Sequence, residues 1–381
     1  MMYPRLLYVG DVPVEASYHG SALLYRLLTD YPPERLTIIE TATRSESPRR
    51  LPHVNYLGYP IGKQRWLNTR FHPYATVWFT QSGKRLAPKI SQSLNGFDVE
   101  SVLTVAHGFG WLTAAEIAGR RNVPLHLIVH DDWPRVANVA FRNWLDNRFA
   151  SVYRRSQSRL CISPAMSRSY EQRYGAPATV IYPSRGANSP MFTEPPARLA
   201  SNDHPFTVAF AGTINSNGYI RALIALQNAL KSCSGRLLIF GPATPAELND
   251  PNTEIRGLLP ATELLTTLRH EADALFVPMS FDPADRVNME LAFPSKLADY
   301  TAVGLPLLIY GPPYCSAIVW ARENAGVAEV AESEVELNNA IALLANNPDK
   351  RIALGKRALA AGREYFTHDR VQEQFYKALS A

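Results

Sequence analysis

The sequence predicts an α/β protein of two Rossmann-like parallel-sheet domains facing a cleft. Short runs of consecutive apolar residues alternate with helical stretches, and the same rhythm begins afresh after residue 205. Such alternation implies parallel strands covered by helices on both faces. Between the halves, 183–205 is rich in Pro, Ser, Asn and Gly and reads as a linker. At 381 residues the chain is long enough for two domains of ordinary size.

The first half opens with an apolar run at 5–9 that stops at Gly10-Asp11. After a polar loop, His19-Gly20-Ser21 starts a helix whose Leu23, Leu24, Leu27 and Leu28 share one face. Buried strands follow at 36–39, 102–106, 125–129, 160–162 and 179–182, with helices near 112–121, 135–156 and 164–174. The second half has strands at 206–211, 236–240, 273–278 and 305–309. Helices near 218–232, 261–270, 294–303 and 316–324 separate them, and 348–381 is helical in pattern. The domains are placed at 1–190 and 203–364, with 365–381 as a closing helix.

Composition narrows the class. Hydrophobic residues make up 46% and charged residues 19%, the balance of a globular chain. No apolar run approaches the ~20 residues a membrane helix needs. The N-terminus lacks the apolar core of a signal peptide, so a cytoplasmic protein is expected. Cys161, Cys233 and Cys315 are odd in number, far apart and set in apolar surroundings. They read as reduced thiols rather than a disulfide set or metal site.

The net charge of +5 concentrates with aromatics in one stretch: Lys63, Arg65, Trp66, Arg70, Phe71, Tyr74, Trp78, Phe79, Lys84, Arg85 and Lys89. One reading is an amphipathic helix pair with its aromatics in the core and its charges solvated. Another is peripheral contact with anionic lipid at the inner membrane face, or with a lipid acceptor. Nucleic acid is a third. No RNA or DNA motif accompanies the charge, so no nucleic-acid partner is expected.

The most informative stretch is Pro294-Ser295-Lys296-Leu297-Ala298-Asp299-Tyr300-Thr301-Ala302-Val303-Gly304-Leu305-Pro306. Pro-Ser before apolar residues at helical spacing marks a helix start, with Ser295 or a neighbour available for capping. A lysine at a helix N-terminus suits an anion, because free N–H groups, the helix dipole and the ammonium all favour negative charge. Asp299, one turn inside, can accept hydrogen bonds from sugar hydroxyls. Anion and polyol on one helix suggest a nucleotide diphosphate.

Other residues stand where strands end. Gly212 closes an apolar run and precedes the polar Thr213, Asn215, Ser216 and Asn217, a loop rich in donors for phosphate or sugar. His130-Asp131 follows the strand at 125–129, and His107-Gly108 the strand before it. An imidazole there can hydrogen-bond a sugar or stabilise developing charge. Loop capping is the alternative for His130, and a tight turn is the alternative for Gly20. Arg286 could add charge near Lys296 or simply face solvent.

The 294–306 stretch resembles the nucleotide-sugar motif of GT-B glycosyltransferases, especially glycosyltransferase family 4. Phe210-Ala211-Gly212-Thr213-Ile214 is similar to the glycine loop that opens the second domain in that family. Leu238-Ile239-Phe240-Gly241-Pro242, Ile255-Arg256-Gly257-Leu258-Leu259-Pro260 and Ala272-Asp273-Ala274-Leu275-Phe276-Val277-Pro278 follow in the family's order. Val129-His130-Asp131 and Leu160-Cys161-Ile162-Ser163-Pro164-Ala165-Met166 match more loosely. The resemblance is strong over 206–310 and weak over 1–100.

It implies that Gly20, Gly212, Thr213, Gly257, Leu259, Arg286, Ser295, Lys296 and Asp299 bind the donor, with Ser295 and Lys296 on the diphosphate and Asp299 on the ribose. His130 and Asp131 are the expected catalytic residues, with His107, Trp66 and Arg70 expected near the acceptor, and the resemblance implies a C-terminal helix that crosses back to the first domain. Two departures stand out. Thr213 and Asn217 occupy the places of an arginine and a lysine in the family's glycine loop. Of the family's two glutamates separated by seven residues, the second becomes Asp299 and the first falls at Leu291, beside Glu290.

The expected function is a retaining, metal-independent glycosyltransferase for polysaccharide biosynthesis. It moves a sugar from a nucleotide-diphosphate donor to a glycan or lipid-linked acceptor hydroxyl. The chain has no Asp-x-Asp pair to bridge a metal to the donor, and no cofactor or metal is expected. Alternatives are a nucleotide-sugar epimerase of GT-B fold, or a non-catalytic member that binds a nucleotide sugar or partner.

Overall fold

Runs of apolar, often β-branched residues such as Leu6-Leu7-Tyr8-Val9 form the inner strands, and every residue of these strands is buried. The computed structural model describes residues 3–16, 20–42, 47–94, 96–133, 135, 138–214 and 216–380. His19, Pro134 and Asn215, all part of the sequence reading, lie outside the described residues. The chain divides into two units, 1–182 with 371–381, and 183–370.

The first unit contains β1 (Leu6–Gly10), β2 (Leu36–Glu40), β3 (Asn55–Gly58), β4 (Ser101–Val105), β5 (Leu125–Val129), β6 (Ser158–Cys161) and β7 (Thr179–Val180). All pair in parallel, in the order β3-β2-β1-β4-β5-β6-β7. Its helices are α1 (Gly20–Leu28), α2 (His72–Thr80), α3 (Ser82–Ser93), α4 (Gly110–Arg121), α5 (Arg142–Arg155) and α6 (Pro164–Tyr174). Strand order reverses between β1 and β4, where Leu6 pairs with both Leu36 and Ser101. The carboxyl ends of strands at such a switch point are where open α/β sheets place their ligands.

The second unit repeats this plan. Its strands are β8 (Thr207–Ala211), β9 (Arg236–Phe240), β10 (Thr253–Gly257), β11 (Ala274–Pro278), β12 (Leu307–Tyr310) and β13 (Ala328–Ala331), in the order β10-β9-β8-β11-β12-β13. The helices are α7 (Asn217–Lys231), α8 (Ala261–Glu271), α9 (Arg286–Leu291), α10 (Lys296–Tyr300), α11 (Ser316–Glu323), α12 (Glu334–Asn346) and α13 (Pro348–Tyr365). Leu223, Leu226 and Leu230 of α7 and Leu337, Ile341 and Leu344 of α12 share one core with Phe210, Ile239, Phe276 and Leu308.

The final helix, α14 (His368–Leu379), packs on the first unit from Val371 onward. Gln372 Nε2 donates to the carbonyls of Arg26 (2.8 Å) and Leu27 (3.0 Å) at the end of α1. The Tyr376 ring lies 5.0 Å from Tyr3, edge-on.

Several expectations need correction. The 183–205 segment, read from the sequence as the linker, groups with the second unit. The buried Asp273 carboxylate accepts from Arg198 Nε (2.9 Å), His204 Nε2 (2.9 Å) and the Thr207 amide (2.8 Å). Arg351, also buried, donates to the carbonyls of Leu199 and Ser201. A buried charge needs such partners, and they fasten the segment down.

The helix expected at 294–303 is regular only over Lys296–Tyr300. Strands β3, β10 and β13 were absent from the sequence reading. In the aromatic stretch, Phe79 is buried, whereas Trp66, Phe71, Tyr74 and Trp78 are 47–77% exposed. A helix pair with its aromatics in the core does not describe these four. Cys161, Cys233 and Cys315 are free thiols, and no described helix is long and apolar enough to cross a membrane.

Candidate functional site

In the second unit, β8 ends at Ala211 and Gly212 turns the chain with φ +146°. Side chains rarely adopt that conformation, which explains a glycine there. The Gly212 amide donates to Phe240 O at 2.8 Å. After Thr213, Ser216 caps α7 by accepting from the Tyr219 amide.

Lys296 lies against this turn. Its Nζ is 5.0 Å from the Phe210 ring centroid and 5.5 Å from that of Tyr219. A Cβ on Gly212 would come within 3.2 Å of it. Burial pushes the ammonium's pKa down to about 8. Tyr300, one turn on, fixes α10 to the end of β8, its hydroxyl accepting from the Ala211 amide at 2.6 Å. A desolvated cation is thus held beside a glycine turn at a strand's carboxyl end. An anion placed there would restore what burial removes.

The remaining second-unit candidates divide. Ser295 is exposed, takes helical dihedrals and makes no capping hydrogen bond, which corrects the sequence reading. With five residues, α10 has little dipole of its own, so the anion-binding case rests on Lys296 instead of a helix N-terminus. Asp299 is partly buried and pulls on the Arg185 guanidinium, whose pKa burial pushes down to about 10. Arg185 itself donates to Ala298 O (3.0 Å) and Thr301 Oγ1 (3.2 Å). Gly257 ends β10, its carbonyl accepting from the Gly241 amide at 2.9 Å, and Leu259 follows half-buried. Arg286 is exposed and stacks 4.7 Å over Tyr314. Leu291 is buried and Glu290 exposed.

In the first unit the switch point gathers polar groups from three loops. Asp11, just past β1, accepts from Thr41 Oγ1 (2.7 Å) and from the amides of Phe109 (2.5 Å) and Gly110 (2.8 Å). Burial raises the pKa of its carboxyl, while those bonds and His107 pull it down. These bonds set the turn after β4 that carries His107. After β5, His130 is buried and its Nε2 lies 3.0 Å from Asp131 Oδ2. His107 Nδ1 is 3.9 Å from the same oxygen.

Helix α6 holds this loop. Arg173 pairs with the buried Asp132, and the Tyr170 hydroxyl donates to Trp133 O at 3.1 Å. Gly20 begins α1 directly against the imidazole, where a Cβ would meet His130 Cε1 at 2.6 Å. So Gly20, His107, His130 and Asp131 come together. Trp66 and Arg70 lie on the surface stretch, Arg70 stacked 4.9 Å over Phe71. Sequence reasoning missed Asp11, Arg173 and Arg185. Of these only Asp11 left a signal, a carboxylate directly after the first strand.

No protein-family model matches the sequence, and no curated protein matches it. Solved structures do. HepE of Anabaena with UDP and glucose is 14% identical, with 99% of this chain and 100% of that chain covered and a TM-score of 0.69. An α,α-trehalose 6-phosphate synthase from Burkholderia multivorans is 14% identical over 100% and 97% of the two chains, with a TM-score of 0.63. The lipopolysaccharide outer core galactosyltransferase WaaB is 13% identical over 98% of each chain, at 0.59. Together with two parallel sheets of Rossmann order, this likeness shows that the chain has the GT-B fold of these glycosyltransferases.

Proposed function

We propose that the protein is a glycosyltransferase that moves a sugar, with retention at the anomeric carbon, from a nucleotide-diphosphate donor to a hydroxyl of a glycan or lipid-linked acceptor. The observation that carries this reading is Lys296, a desolvated cation beside the Gly212 turn. The UDP bound by HepE is consistent with a nucleotide-diphosphate donor. As the bond from the anomeric carbon to the diphosphate oxygen breaks, the leaving group gains charge. The Lys296 ammonium and the Thr213 amide would stabilise it without a metal. Asp299 would take the ribose hydroxyls. His130, backed by Asp131, would face the transferred sugar or the attacking hydroxyl, whose proton is lost as the new bond forms.

The exposed Trp66, Phe71, Tyr74 and Trp78, with Arg70 and Arg85 stacked on Phe71 and Trp78, favour peripheral contact with anionic lipid at the cytoplasmic face. Incubation of the protein with a panel of nucleotide sugars and acceptors in excess chelator tests the reaction. Acceptor-dependent release of nucleoside diphosphate is expected. Donor isomerised without acceptor would indicate an epimerase, and affinity without turnover a binding protein. Activity lost to chelator and restored only by magnesium or manganese would contradict the metal-free site.

A further inference from the structure

His107, His130 and Asp131 each direct one ligand atom into a common space, all within 4.8 Å of one another. We propose that these three residues form a binding site for one Zn²⁺-class ion. Two imidazoles and a carboxylate are the borderline nitrogen–oxygen donor set that zinc and cobalt favour over magnesium or calcium. Ligand bonds of about 2.0–2.2 Å around one ion place tetrahedral donor atoms roughly 3.3–3.5 Å apart. His130 Nε2 and Asp131 Oδ2 are 3.0 Å apart, His107 Nδ1 is 3.9 Å from that oxygen, and all ligand atoms lie within 4.8 Å of one another, so side-chain adjustments on the order of an ångström bring the three onto one ion.

The loops are fixed rather than free to gather round an ion at cost. Strands β4 and β5 are register neighbours, Val105 opposite Ile128, which sets the two histidine loops side by side. The Asp11 carboxylate holds the His107 turn through the Phe109 and Gly110 amides. Arg173 and Tyr170 hold the Asp131 loop, and the start of α1 at Gly20 backs the His130 ring. His107 and Asp131 are half-exposed on their side chains, which leaves a path for the ion from solvent. Three protein ligands leave the fourth position for water.

An ion bound there takes the Asp131 oxygen that now faces His130. Resting on the proposed role of His130, the occupied state is therefore arrested. This differs from metal at the donor diphosphate, because every ligand belongs to the first unit.

Titration of the full-length protein with Zn²⁺ by calorimetry, without any donor, reads the site directly. One ion per chain is expected, with Co²⁺ giving the absorption of a nitrogen–oxygen site that lacks thiolate. His107→Ala and Asp131→Asn should each weaken binding by more than the ~10–100-fold that loss of an outer-sphere partner costs. Cys233→Ser and His53→Ala should leave it unchanged. Circular dichroism establishes that the variants fold, and His107, being exposed, is the safer of the two. No binding at millimolar ion, or binding indifferent to both ligand variants, would overturn the site. Turnover should fall with the same Zn²⁺ midpoint and recover with chelator, and turnover unchanged at saturation would overturn the arrested state. If no donor reacts at all, the functional reading fails while the metal titration still decides the site.

Discussion

Lys296 carries a conflict between stability and binding. Its pKa of about 8, against an ordinary 10.5, means the folded state holds its proton less well than the unfolded chain. The penalty is full below about pH 8, declines as pH rises beyond it, and vanishes near 10.5. Lys296→Met should therefore raise the melting temperature at neutral pH, and the gain should shrink through that window. A gain independent of pH would show that shape, not charge, is responsible. His130 holds the proposed catalytic position in the first unit. A group that acts mainly in the transition state lowers turnover more than donor affinity. His130→Ala should cut turnover by ~10²-fold or more with donor affinity nearly unchanged. Steady-state rates measured beside donor titrations decide it, and equal losses in both would make His130 a binding residue.

At the scale of elements, the start of α1 against the β5 loop is the contact most open to test. Glycine-to-alanine inside a helix ordinarily stabilises by up to ~1 kcal/mol. At Gly20 the added methyl carbon would meet His130 Cε1 at 2.6 Å, so the imidazole must move. Gly20→Ala should thus reproduce much of the His130→Ala turnover loss while thermal stability holds or falls slightly. Wild-type turnover in Gly20→Ala would contradict the placement of His130.

The strands easiest to read from sequence are those buried on both faces. Thr207–Ala211 and Ala274–Pro278 are nearly continuous apolar runs, whereas the edge strands Asn55–Gly58 and Thr253–Gly257 carry polar, half-exposed residues with no such signature. Lys296 and His130 stood out as candidates because the one lies in the 294–306 motif and the other directly follows the apolar run 125–129. Arg185 was not, since its partners Ala298 and Thr301 lie more than a hundred residues away in sequence. Ser295 misled because the helix it was expected to cap is one short turn.

At the scale of the whole molecule, the net charge of +5 and the exposed aromatic stretch bear on where the protein works. The protein should sediment with anionic vesicles, weakly with neutral ones, and salt should release it. Each aromatic buried in the interface adds ~1.5 kcal/mol or more, so Tyr74→Ser with Trp78→Ser should weaken binding by ~10²-fold. Equal binding to neutral vesicles would remove the electrostatic part, and an inert double variant would remove this surface.

In the proposed function the second unit recognises the nucleotide through Lys296 beside the Gly212 turn. Calorimetric titration with nucleoside diphosphates of each base, in excess chelator, tests that directly on wild type and Lys296→Ala. The account predicts binding without metal for at least one base. It also predicts a loss of one to two orders of magnitude in the variant, for a charge-assisted contact of roughly 1.5–3 kcal/mol. Binding of equal strength in both proteins, or no binding by wild type, would contradict it.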